Sequence, residues 1–196
     1  MKKGSAHRQS AHPIDPLFLD RWSPRSLSGA SIAEAELMTL FEAARWAPSS
    51  GNFQPWRFLY ARRDGDFWPA FFDLLKPGNQ GWAARAGVLV LVISRTHFDG
   101  TDGRACVTHS FDSGAAWQNL ALQASLMGLV AHGMEGFDYE RARRVLRVPA
   151  AYAVEAMAAI GRPGEPVTAE ASQRKPDHPS TRRPLEQTIC EGPFSL

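Results

Sequence analysis

The chain has 196 residues, about one domain, and 44% of it is hydrophobic, which excludes a disordered segment and provides for a core. Its net charge is only +2 and its 22 basic residues are scattered rather than striped, which argues against nucleic-acid binding. Cys106 and Cys190 match no zinc or CxxC spacing and read as free thiols of a reducing, cytoplasmic compartment, while the histidines form no metal-ligand cluster.

Met1 to His12 is basic and polar, lacks the apolar centre of a signal peptide, and reads as a flexible leader. A single domain is expected over 13–196. Ile14 to Arg25 opens the folded part and ends in Arg21-Trp22-Ser23-Pro24-Arg25. Two arginines bracketing a serine suit a phosphate grip, because guanidinium is a planar fork of donors; the same residues also suit a solvated surface. Ser31 then starts a helix, with Ser31 and Glu34 as an S-x-x-E capping box and Leu37, Leu40, Phe41 and Ala44 as the buried stripe.

Pro48 stops that helix and opens the segment around which the chain is organised, Ala47 to Trp56, APSSGNFQPW. Ser49, Ser50, Asn52 and Gln54 place uncharged donors and acceptors around a flexible Gly51. Such a loop suits a flat heteroaromatic ligand with polar edges; its composition equally suits an ordinary turn. Trp56 to Ala61 reads as a strand, Asp66 to Leu75 as a helix, and Lys76-Pro77-Gly78-Asn79 as the turn closing it. Ala86 to Ser94 carries VLVLVI, a β-branched run suited to a central strand buried on both faces. Thr96 to Thr108 reads as a loop and a candidate flap beside a pocket.

Ser113 to Val130 contains no charge, yet Gln118, Asn119 and Gln123 in its middle argue against a membrane span. It belongs to a buried helix from about Asp112 to Met127, apolar on so many sides that a second subunit must help to cover it, most simply in a symmetric dimer. Leu129 to Met134 follows as a short strand and Glu135-Gly136 as a turn. Asp138 caps a helix from Tyr139 to Arg147, and Ala153 to Ile160 is the last strand. From Arg162 the composition changes: five prolines before Leu185 mark an extended arm, about 162–196, whose Leu185 to Cys190 segment suits pairing with a sheet edge in its own subunit or a neighbour.

G-x-G-x-x-G, the P-loop and the G-x-S-x-G elbow are all absent. Four other pieces occur in order: Arg21-Trp22-Ser23-Pro24-Arg25, APSSGNFQPW, Glu135-Gly136-Phe137-Asp138, and Arg182 shortly before Pro184-Leu185. Together they resemble the nitroreductase family of FMN-dependent flavoproteins, over about Leu17 to Ile189. The resemblance implies an α+β fold with a central mixed, mainly antiparallel sheet flanked by helices, in an intertwined homodimer with FMN at the subunit interface. It also implies NADH or NADPH as electron donor and a nitroaromatic, quinone or activated alkene as acceptor, in ping-pong turnover. Other flavin chemistry (dehalogenation, dehydrogenation, flavin breakdown) and non-catalytic flavin binding stay open.

Carried over, Arg21, Ser23, Arg25 and Arg182 would hold the flavin phosphate and ring edge. Pro48, Ser49, Ser50 and Asn52, from the partner subunit, would line the ribityl chain and ring. Asn79 would reach the pyrimidine edge, and Glu135 and Gly136 would offer backbone amides near N5 and O4. No side chain is nominated as catalytic, because the flavin would carry the hydride chemistry. Three positions depart from the family pattern. Trp22 replaces an Arg or His, Trp82 stands where some members carry a lysine near the pyrimidine, and Gly133 replaces a common proline.

Overall fold

The computed structural model describes residues 3–100, 103–165 and 177–194. In chain order these form helix α1 (Pro16–Asp20), α2 (Glu34–Arg45), strand β1 (Trp56–Arg62), α3 (Trp68–Phe72), α4 (Pro77–Ala83) and β2 (Val88–Arg95). Then come α5 (His109–Leu126), β3 (Val130–Met134), α6 (Tyr139–Val145) and β4 (Tyr152–Gly161). The strands make one sheet in the order β1-β2-β4-β3, and each of its three pairings is antiparallel.

The VLVLVI run lies in β2, which is buried from Val88 through Ser94. Its side chains alternate between two cores, as the period of a strand requires. Val88 and Val90 pack with Leu37, Leu40 and Ala44 of α2 and Leu120 and Ala124 of α5. Leu89, Leu91 and Ile93 face the opposite way, toward Phe71, Leu74, Trp82 and Phe137. A strand covered by helices on both sides has no polar face to offer, hence the uninterrupted apolar sequence.

Several boundaries move relative to the sequence expectation. Helix α2 begins at Glu34 rather than Ser31, and the reaching-back carboxylate is Glu36, which accepts from the Ala33 N–H at 2.9 Å. Lys76 to Asn79 does not close a helix but opens α4: Pro77 sits at its first position, where a missing N–H costs nothing. The expected helix over 66–75 shrinks to Trp68–Phe72. Asp138 caps α6 as expected, accepting from the Arg141 N–H at 2.8 Å.

The two ends of the chain meet. Of the Met1 to His12 segment expected as a loose leader, Lys3 to Arg8 lies against α1: Ser5 donates to Asp20 from its N–H and its hydroxyl, at 3.1 and 2.5 Å. Gly4 is buried there, and a Cβ on it would stand 1.9 Å from the Leu19 carbonyl oxygen. The Leu185 to Cys190 segment forms no strand in its own subunit; Leu185–Gln187 is an exposed short helical turn. Residues 166–176 of the expected arm, and 101–102 of the expected flap, lie outside the described residues. Among the described residues no helix is long and apolar enough to cross a membrane.

Candidate functional site

Arg21 follows the last residue of α1, and from it the chain runs extended toward Leu27. The end of β4 holds this run in place: the Ser28 N–H donates to the Arg162 carbonyl and the Gly164 N–H to the Ser26 carbonyl, at 3.0 and 2.9 Å. Arg21 Nη1 donates to Ser23 Oγ at 3.2 Å, so the expected phosphate-grip residues are joined. Arg182 comes close enough from the far end of the chain to lower the Arg21 pKa through its charge, after the larger effect of burial. Arg8, which nothing in the sequence marked out, also has its pKa lowered, chiefly by burial and then by the charges of Arg182 and Arg21. Among the described residues no carboxylate lies within ion-pair distance of Arg8, Arg21 or Arg182.

Arg25 is placed differently. It is exposed, and its backbone N–H, with that of Ser26, is taken by the Asp177 carboxylate at 2.8 Å. Asp177 thereby ties the returning arm to the Arg21 to Ser26 segment, another role without a sequence signal.

From Pro24 a continuous path of contacts leads to the Glu135-Gly136 turn. His132 of β3 donates from Nδ1 to the Pro24 carbonyl at 3.1 Å, and its ring lies 4.5 Å from that of Trp82. Trp82 Nε1 donates to Asn79 Oδ1 at 3.2 Å, and Asn79 Nδ2 donates to the Gly136 carbonyl at 3.1 Å. A Cβ on Gly136 would stand 2.6 Å from Asn79 Nδ2, so this approach needs a glycine. The Gly136 N–H itself donates to no partner among the described residues. Glu135 is exposed, in no ion pair among the described residues, and its charge helps to raise the Tyr139 pKa, where burial is the larger cause.

The departures find physical roles here. Trp82 orients Asn79 and covers His132, whose imidazole is held below the usual histidine range chiefly by burial. Trp22 is a buried core residue, and Gly133 leaves room for Trp117, whose Cζ2 would stand 3.2 Å from an added Cβ.

The Pro48 to Asn52 loop is built separately. Gly51, Asn52 and Gln54 all have positive φ, at 56°, 55° and 53°, a strained conformation for the last two that persists only when surroundings impose it. The constraint comes from below. Asp112, 3% exposed at the start of α5, accepts from the Ser50 N–H at 3.1 Å and the Thr108 hydroxyl at 3.2 Å. Ser49 Oγ accepts from the Gln54 N–H at 2.9 Å. Pro48, Ser50 and Asn52 are exposed, and no hydrogen bond or ion pair among the described residues joins this loop to the arginine cluster.

A second polar cluster lies at the C-terminal end of β2, beside the first turn of α5. Val92 pairs with Ala156 but Ile93 with Val154, so Glu155 is the extra residue of a bulge, which re-aims its side chain. Its carboxylate accepts from Ser110 Oγ at 2.8 Å and, over a very short contact, from Ser94 Oγ. Because the single Ser94 hydroxyl hydrogen goes to Glu155, His109 Nδ1 must be the donor in its 2.7 Å bond to Ser94. Glu155 also lies 3.2 Å from His109 Nδ1, the same nitrogen that bonds Ser94, so the imidazole does not bridge carboxylate and hydroxyl through its two nitrogens as it does where a serine is activated, and the cluster braces β2, β4 and α5.

The matching family model, Nitroreductase family, covers residues 19–162. The chain belongs to the nitroreductase family. A crystal structure described as an oxidoreductase containing FMN is 45% identical with a TM-score of 0.91, covering 100% of this chain and 98% of its own. A Desulfovibrio desulfuricans protein solved in complex with FMN is 26% identical with a TM-score of 0.72, covering 95% and 100%. The NADH dehydrogenase of Thermus thermophilus is 29% identical, over 87% of this chain and 92% of its own length. Against these relatives, the α+β nitroreductase fold expected for this chain holds.

Proposed function

We propose that this nitroreductase-family chain is an FMN-dependent oxidoreductase that takes hydride from NADH or NADPH and passes it, in alternating ping-pong turnover, to a small electrophilic acceptor such as a nitroaromatic, quinone or activated alkene. The observation that carries the proposal is the gathering of Arg21 and Arg182 with Ser23 and no carboxylate, which leaves a concentrated positive charge for a phosphate to neutralise. The names of the relatives support the same cofactor and donor.

The residues present fit a flavin mononucleotide. Arg21, Ser23 and Arg182 would hold its phosphate, Asn79 its pyrimidine edge, and the Gly136 N–H is a donor without a partner among the described residues. When bound, the flavin supplies hydride transfer. The protein contributes position and charge: Trp82 and Gly136 lock the Asn79 amide in one orientation, and donors fixed in advance favour negative charge developing on the ring.

Pro48, Ser49, Ser50 and Asn52 would complete the site from the partner of a homodimer. Supporting this, α5 buries Ala116, Leu120 and Ala124 but leaves a charge-free stripe open, with Phe111 80% and Leu126 65% exposed at its two ends. Purified protein should show flavin absorption bands that bleach anaerobically on addition of NADH or NADPH. A protein that neither carries nor takes up FMN overturns the proposal, and a bound flavin that both nucleotides leave oxidised overturns the donor assignment.

A further inference from the structure

We propose that Arg8, delivered by the N-terminal leader, is a third guanidinium of the cofactor phosphate site, so that both ends of the chain close over the phosphate together; this rests on the flavin reading above. Arg8 has five N–H donors. Nε donates to the Ser180 carbonyl at 2.8 Å, and Nη1 to the carbonyls of Leu19 at 2.9 Å and Arg21 at 2.8 Å. Those three bonds staple the leader to the end of α1 and to the arm. A purely structural staple needs nothing more, yet the two Nη2 hydrogens have no partner among the described residues.

Carbonyl oxygens fix Arg8 at the Arg21 carbonyl, near enough to Arg182 and Arg21 for their charges to lower its pKa after the larger effect of burial, and no carboxylate among the described residues offsets this positive charge. Leader docking is also sterically selective, since only a glycine at position 4 lets the Leu19 carbonyl approach. Arg8, Arg182 and Arg183 line one groove of about 1170 Å³ between leader and arm, walled by Phe18, Leu19 and Leu185 and by no acidic residue; Arg21 and Ser23 stand outside its lining, and the 2.8 Å bond from Arg8 Nη1 to the Arg21 carbonyl links the two. A phosphomonoester is the anion that suits several guanidinium forks at once.

The test compares FMN with riboflavin, which differ only in the phosphate. The full-length protein freed of flavin is titrated with each, following flavin fluorescence, for wild type, Arg8→Gln and Arg8→Lys. Loss of one charge-assisted contact predicts that Arg8→Gln weakens FMN binding roughly tenfold or more, leaves riboflavin binding unchanged, and flattens the salt dependence for FMN. Arg8→Lys keeps the charge and should restore part of the FMN preference, and it serves alone if Arg8→Gln does not fold. Equal weakening of both ligands means a staple only, and unchanged discrimination means no contact; either overturns the assignment. A changed NADPH-to-NADH KM ratio with unchanged flavin discrimination would move the phosphate to the nucleotide and overturn it too. Wild-type protein that binds FMN no better than riboflavin would instead refute the flavin phosphate site itself.

Discussion

Replacing Gly136 by alanine tests the most closely fitted part of the site. The new Cβ would stand 2.6 Å from Asn79 Nδ2, so one of the two must yield, and the flexible side-chain end is what can. Swinging Asn79 away breaks its 3.1 Å bond to the Gly136 carbonyl and strips Trp82 Nε1 of its 3.2 Å acceptor, in a residue that is almost fully buried. Two neutral hydrogen bonds at about 0.5–1.5 kcal/mol each give an expected loss of about 1–3 kcal/mol. At about 2–4 °C per kcal/mol for a domain of this size, thermal unfolding resolves it. The decisive comparison is a double-mutant cycle with Asn79→Ala, which removes the clashing atom and both bonds beforehand. In that background Gly136→Ala should be neutral to within about 0.5 kcal/mol. An equal loss in both backgrounds would refute the reasoning, because the cost would then lie in the backbone at Gly136 and not in its contact with Asn79.

Asp112→Ala should cost about 1–3 kcal/mol and speed amide exchange at Ser50, whose N–H loses its acceptor; unchanged exchange would show that the loop holds itself. Glu155→Ala leaves the fully buried Ser94 hydroxyl without its acceptor and should cost a similar amount in urea unfolding, whereas a loss below about 0.5 kcal/mol would make the bulge cluster dispensable. Burial holds the His132 pKa below that of the unfolded chain, so the unfolded state takes up this proton first as pH falls. Stability from this residue is therefore complete above about pH 6.5 and declines toward the depressed folded value, and His132→Phe should remove that part of the slope, seen as urea midpoints compared at about pH 7 and pH 5. Asp177→Ala should make the arm around residue 177 markedly more susceptible to limited proteolysis, since two backbone N–H groups lose their acceptor.

Local and repetitive signals were legible in the chain itself. The VLVLVI run announced a doubly covered strand, the spacing of Leu37, Leu40 and Ala44 announced the buried face of α2, and Asp138 announced a cap, because strand and helix periodicity and capping act over a few residues. The motifs also identified the family; of the site residues they nominated, Arg21 lies beside Ser23 and near Arg182, Asn79 bonds Gly136, and the Pro48 to Asn52 loop stands apart from both. What no local pattern carried was long-range closure. Arg8 reaches Ser180, Asp177 reaches Arg25, Asp112 reaches Ser50, and a single extra residue in β4 turns Glu155 toward Ser94. Each joins segments far apart in the sequence, and each polar partner is of a type common on surfaces, so no local pattern marks it. The Lys76 to Asn79 segment shows the same limit in small: proline and glycine suit a turn and a helix start alike, and here Pro77 opens α4, whose Trp82 and Ala83 join the core. Sequence determined the long periodic elements and the family; tertiary packing decided the shorter elements and which polar groups meet, because desolvation and hydrogen-bond geometry arise only between surfaces already in contact.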